Sequence, residues 1–280
     1  MDLLNIIEEI EKVDPEFQDK ISPRRSAIKN MTSFGSKVAV AALPFALGSL
    51  FKKAYAQQST TDVVAVLNYA LKLEFLESNF YNAGLGNTAL VALGSSTEIA
   101  GLKLIQTDEN NHVTFLTNTI KSLGGTPVSF TAANFDFTAK GTFPTVFTSF
   151  DTFLAVASTF EDTGVRAYKG QAPNLLRNKT VLTAALDIHS VEARHASHLR
   201  MMRRARTATT LKPWITGAND TGIAAVAATY AGEDNVTQGP VTITSLAGVS
   251  GNVSTTAATE AFDEPLTMAQ VVTIVTPFFK

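Results

Sequence analysis

Two short segments repeat one chemical pairing. Glu109 and His112 stand three residues apart, and so do Glu192 and His195, 83 residues further along. On a helix a three-residue step turns the side chain by about 300°, so each carboxylate and imidazole share a face about one turn apart. One helix can then offer an oxygen and a nitrogen to the same cation. The chain has four histidines, and three of them, His189, His195 and His198, fall within ten residues. Only His195 lies on the apolar stripe of its segment; His189 is about 120° around the helix from it.

The elements that must position these groups can be read from periodicity. Four segments, about 61–83, 98–123, 148–169 and 179–202, carry apolar residues at alternating steps of three and four, as amphipathic helices do. Each stripe is interrupted once by a glutamate at a position that should face the core. Glu74 lies between Leu71 and Tyr81, Glu109 between Ile105 and Leu116, Glu161 between Ala157 and Val165, and Glu192 between Ile188 and Leu199. A buried, unpaired carboxylate costs several kcal/mol or takes up a proton. Four of them, one per helix, call for a shared counter-charge, which two metal cations supply.

The four segments also form an internal repeat. Glu74 is followed seven residues later by Tyr81, and Glu161 seven residues later by Tyr168; a Glu-x-x-His then follows each Glu, after 35 and 31 residues. Position 77 aligns with Gly164, whereas Glu74 aligns with Glu161, so Glu74 and not Glu77 is the expected ligand. Ser95 with Glu98 reads as a capping box, Gly124-Gly125 as a helix stop, and Pro173-Asn174 as the break between the last two helices. The longest connection, "TPVSFTAANFDFTAKGTFPTVF", lies between the second and third helices, a known crossover topology for four-helix bundles.

One Glu from each of two helices, with Glu-x-x-His from each of the other two, is the ligand set of carboxylate-bridged di-metal proteins of the ferritin-like superfamily. The stretches "LNYALKLEFLESNFY", "TDENNHVTFL", "FEDTGVRAYKGQAP" and "VEARHASHLR" resemble the exported bacterial ferritin-like domain proteins, as do "YAGE" and "FDEPL" further on. The resemblance implies an all-α, ferritin-like four-helix bundle over residues 57–206, with a long crossover between helices two and three. It also implies a metal centre built from Glu74, Glu109, His112, Glu161, Glu192 and His195. Around it, Tyr81 and Tyr168 are candidates to hydrogen-bond ligand carboxylates or to carry electrons. Asp108 and Asp187 are candidates to hold the outer imidazole nitrogens. His198 flanks the stripe, placed to orient a ligand or line a channel, and Glu77 is an acid beside the site or on the surface.

Composition narrows the rest. The chain lacks cysteine, which excludes disulfides, thiolate metal sites and a cysteine nucleophile. A net charge of −2 leaves no electrostatic footprint for nucleic acid. Residues 1–56 hold Arg24-Arg25, an apolar run from Val38 to Phe51, and the small-residue pattern Ala54-Tyr55-Ala56. That order is that of an export signal, similar to a twin-arginine one, and points to a periplasmic or extracellular protein. The apolar run is shorter than the roughly 20 residues needed to span a membrane. Residues 207–280 read as an irregular extension packed on the bundle, closing with a short capped helix after Phe262-Asp263-Glu264-Pro265.

Imidazole and carboxylate ligands suit two divalent ions, Fe or Mn before Zn. The expected function is therefore oxidative chemistry with dioxygen or peroxide, including ferroxidase activity. The alternative is a non-enzymatic structural or stress-related protein in which the metals staple the bundle.

Overall fold

The structure, a computed structural model, describes residues 60–207, 210–249 and 251–280. Arg24-Arg25, Val38–Phe51 and Ala54–Ala56, the stretches expected to form an export signal, lie outside the described residues. Four long helices form the bundle: α1 (Thr60–Gly86), α3 (Ser96–Ser122), α4 (Phe150–Gln171) and α5 (Lys179–Thr207). A one-turn helix, α2 (Thr88–Val91), links the first pair, its N-terminus capped by the Asn87 side chain. The capping box at Ser95 and Glu98 is present, with both reciprocal bonds made. Gly124, at φ 77°, provides the left-handed turn that ends α3. α5 runs a turn and a half beyond the periodic stripe, to Thr207. Arg204 and Arg206 lie in its last turn, where cations suit the helix dipole, and Arg206 is ion-paired to Asp151 at 2.5 Å and Glu98 at 3.3 Å.

α1 packs along α3, and α4 along α5, whereas α3 and α5 meet only sparingly. α1 and α4 run antiparallel: Phe80, near the end of α1, stacks on Phe153, near the start of α4, at 4.6 Å between centroids. The crossover from Leu123 to Ser149 closes one end of the bundle with aromatic rings. Phe130, Phe135 and Phe137 pack on one another, and Phe137 and Phe147 reach Phe80. The chain terminus is stitched to this crossover. Asp136 N–H donates to the Phe278 carbonyl at 2.8 Å, and Lys280 N–H to the Asn134 carbonyl at 3.0 Å.

Beyond α5 the chain is mostly irregular, with two short antiparallel pairs: β1 (Thr237–Gln238) with β2 (Val241–Thr242), and β3 (Ala247–Gly248) with β4 (Gly251–Asn252). Helices α6 (Thr255–Thr259) and α7 (Met268–Val275) follow, the latter with a capping box from Thr267 and Gln270. All described residues belong to one compact unit. No described helix is long and apolar enough to cross a membrane.

α4 departs from the expectation of a single buried stripe, because every residue from Phe153 to Tyr168 is buried. The extension covers its outer face, and two buried arginines hold it there. Arg166 pairs with Glu233 at 2.8 Å and donates to the carbonyls of Thr229, Ala231 and Glu264. Arg200 of α5 pairs with Asp162 at 3.0 Å and with Asp220, and donates to the carbonyls of Lys212 and Trp214. The Tyr230 hydroxyl donates to the same Asp162 carboxylate at 2.7 Å. Where the "FDEPL" stretch crosses α4, the Leu266 carbonyl sits where a Cβ on residue 170 would be, so only glycine fits there.

Removing one partner of a buried ion pair strands the other charge, at a cost of roughly 3–5 kcal/mol. Arg166→Ala or Arg200→Ala should therefore lower the unfolding free energy by that order in a denaturant titration. Leu104→Ala, at a position 69% exposed, should change it by less than about 0.5 kcal/mol.

Candidate metal centre

The four stripe glutamates reach the middle of the bundle from four different helices. Glu74, Glu109, Glu161 and Glu192 are all at 0% exposure, with His112 and His195 buried beside them. They fall into two overlapping groups able to hold an ion, in each of which the ligand atoms lie within 4.8 Å of one another. One comprises Glu74, Glu109, His112 and Glu192; the other comprises Glu109, Glu161, Glu192 and His195. Glu109 and Glu192 belong to both, and the two imidazole centroids are 6.4 Å apart.

The contacts are those of a coordination cage more than of a hydrogen-bond network. His112 Nδ1 faces Glu74 Oε2 at 3.1 Å, Glu109 Oε2 at 3.3 Å and Glu192 Oε1 at 3.4 Å. His195 Nδ1 faces Glu109 Oε1 at 2.9 Å and Glu161 Oε2 at 3.2 Å. A single ring N–H cannot serve three acceptors. Glu109 Oε1 and both oxygens of Glu192 are buried without a hydrogen bond, the Glu109–His195 approach being out of line for one. Two ligands at right angles on an ion, with bonds of about 2.1 Å, lie about 3 Å apart. The donor set and its spacing therefore fit metal ions.

The internal repeat is realised as a crossed pairing. The Tyr81 hydroxyl donates to Glu161 at 2.5 Å, and the Tyr168 hydroxyl to Glu74, so each tyrosine anchors the glutamate of the opposite antiparallel helix. Burial and the adjacent carboxylate charge hold both phenols well above their usual pKa, as donors. Gly164 is needed by close approach. A Cβ there would lie 2.9 Å from Glu192 Oε2 and 3.4 Å from Glu77 Oε1.

The structure separates the surrounding candidates. Asp108 Oδ2 meets the outer nitrogen of His195, Nε2, at 3.2 Å. Asp187 is exposed and is not among the hydrogen-bond partners of either imidazole, so the expectation that it holds one is not met; its place on α5 turns it to solvent. His198 is exposed too, packed over Gly101 of α3 on a surface groove with Arg194 and Met201, and it orients no ligand. His189 contacts the Val165 carbonyl at 3.0 Å, away from the cage. Glu77 is no surface acid: it is buried, and after burial the Glu192 charge acts on it most strongly. Its alignment with Gly164 was the signal that set it apart from Glu74. The residues that bind the extension, Asp162, Arg166 and Arg200, carry no periodic signature, and sequence reasoning passed over them.

The electrostatics follow from five acids in one dry space. Burial, then the Glu161 charge, raises the Glu109 carboxyl to about 8. Burial and the neighbouring glutamates hold Glu192 and Glu77 well above the carboxylate range. Burial also raises Glu74, but hydrogen bonds, led by that from His112, outweigh it and leave it below its usual value. Burial lowers both imidazoles, yet the carboxylates prevail. They raise His112 far above its usual value and His195 to about 12.

A ferritin-like bundle with a buried carboxylate–histidine cage is thus the class that fold and site define. A family model described as ferritin-like domain matches residues 62–205, and the chain belongs to that family. No curated protein matches the chain.

Since both imidazoles carry protons near neutral pH when no ion is bound, cations must displace them. Filling the site at pH 7 should release at least two protons per chain, measured calorimetrically in buffers of different ionisation enthalpy. Affinity should fall as pH falls, because the protons compete for the same Nδ1 atoms.

Proposed function

We propose that this protein is an exported di-metal protein holding two Fe or Mn ions and using them in oxidative chemistry with dioxygen or peroxide. The observation that carries the reading is the sharing of Glu109 and Glu192 between two groups that each end in one imidazole and one further glutamate. Two divalent cations would neutralise the four stripe carboxylates, and burial and the neighbouring glutamates favour the neutral form of Glu77 beside them. Imidazole and carboxylate donors suit Fe and Mn. Bound there, such ions supply the one-electron steps that reduce dioxygen or peroxide.

The chain's own residues do the positioning. Glu109 and Glu192 would be shared by the two ions, and Glu74 and Glu161, each fixed by a tyrosine hydroxyl, would hold one ion each. Access fits a small oxidant. Among the cage residues only the imidazoles touch solvent, His112 at 9% and His195 at 5% exposure. An apolar cavity of about 20 Å³, lined by Leu67, Ala70, Leu116 and Tyr168, has room for about one water-sized molecule. Export, to the periplasm or beyond, is supported by the order of Arg24-Arg25, the Val38–Phe51 apolar run and Ala54-Tyr55-Ala56.

Metal analysis of the purified protein should find about two Fe or Mn per chain, and peroxide or dioxygen added to the reduced protein should change its absorption spectrum. Glu109→Ala with Glu192→Ala should remove both ions. Metal content near zero, with folding unaffected by that double substitution, rejects the proposal.

A further inference from the structure

We propose that Asp108 makes the two metal positions unequal, so that the position served by His195 binds its ion more tightly than the one served by His112. This rests on the two-ion reading above. The two halves of the cage are matched nearly atom for atom. Both positions share Glu109 and Glu192, and each has one further glutamate held by a tyrosine hydroxyl. Each also has one imidazole whose Nδ1 faces the carboxylates.

The match fails at the outer nitrogens. His195 Nε2 donates to Asp108 Oδ2 at 3.2 Å, across from α5 to α3. Asp108 stands one residue before Glu109. One residue before Glu192, the equivalent place on α5, stands Val191, half-buried and without an acceptor for His112. Among the described residues no side chain pairs with His112 Nε2.

A carboxylate on the outer nitrogen fixes the tautomer that leaves Nδ1 free, orients the ring and makes Nδ1 a stronger donor. Loss of such a partner typically costs 10–100-fold in metal affinity. The Asp108 side chain is 47% exposed, so solvent screens it and the effect falls at the low end, about 10-fold. The repeat is also broken at Glu77, opposite Gly164, but Glu77 belongs to neither ligand group, and the cage carboxylate that shares the space beside Gly164 with it is Glu192, which serves both positions. Asp108 is a positioning residue: it acts on an ion through His195.

The test is a stepwise titration of Mn(II) into the metal-free full chain, with a competing chromophoric chelator reporting each affinity. The wild type should show two steps separated by about 10-fold or more. Asp108→Asn should weaken the tighter step by about 10-fold and leave the weaker one in place. Val191→Asp should strengthen the weaker step, a gain that general damage to the fold cannot produce. Thermal melts of the metal-free proteins check that both variants fold, and Asp108→Asn alone decides the matter if Val191→Asp does not. Two equal steps in the wild type, or Asp108→Asn shifting both steps alike or neither, overturns the role of Asp108 and leaves the two-ion reading standing. No bound Mn(II) at all overturns the two-ion reading itself.

Discussion

Four carboxylates placed in the dry centre of a helical bundle set the terms for the rest of the molecule. Glu74, Glu109, Glu161 and Glu192 repel one another, and burial alone disfavours their charge. They persist there only because opposite charge converges on them from the same helices. The two histidines provide it as imidazolium when no cation is present, and bound cations, as proposed, would provide it better. A folding domain that wanted only stability would fill these positions with leucine, as the flanking stripe residues do.

The duplicated arrangement explains much of the geometry. Two helices with Glu and Tyr seven residues apart, packed antiparallel, bring each tyrosine level with the other helix's glutamate. The crossed hydrogen bonds are then a consequence of the spacing. The departures from symmetry are where the chain has become specific. Gly164 makes room for carboxylates where α1 carries Glu77, and Asp108 braces one imidazole while Val191 leaves the other without a brace. The extension breaks the symmetry on a larger scale. It wraps α4 and is bound by Arg166 and Arg200, so α4 is buried along both faces.

Periodicity made the four helices, their order, the long crossover and the six cage residues legible before any coordinates. It did so because a charged residue inside an apolar stripe is a strong physical contradiction, and four aligned contradictions have few resolutions. The full burial of α4 was not legible. Its outer face is covered by residues 60 to 100 positions away, and a covering segment without regular structure leaves no period to read. Asp187 and Asp108 looked alike in sequence, each an acid near a Glu-x-x-His. Only the packing of α3 against α5 turned Asp108 toward His195 and left Asp187 in solvent. Glu77 was separable from Glu74 by the repeat, yet its burial was not, since its helix is apolar on more than one side.

As proposed, Glu109 and Glu192 are shared by two cations. Anomalous diffraction from crystals of the protein grown with Mn(II) measures this most directly. The account predicts two peaks, both within bonding distance of Glu109 and Glu192, one bound by His112 Nδ1 with Glu74 and the other by His195 Nδ1 with Glu161. A single peak, or peaks held by His189 or His198 in place of the cage, would contradict it.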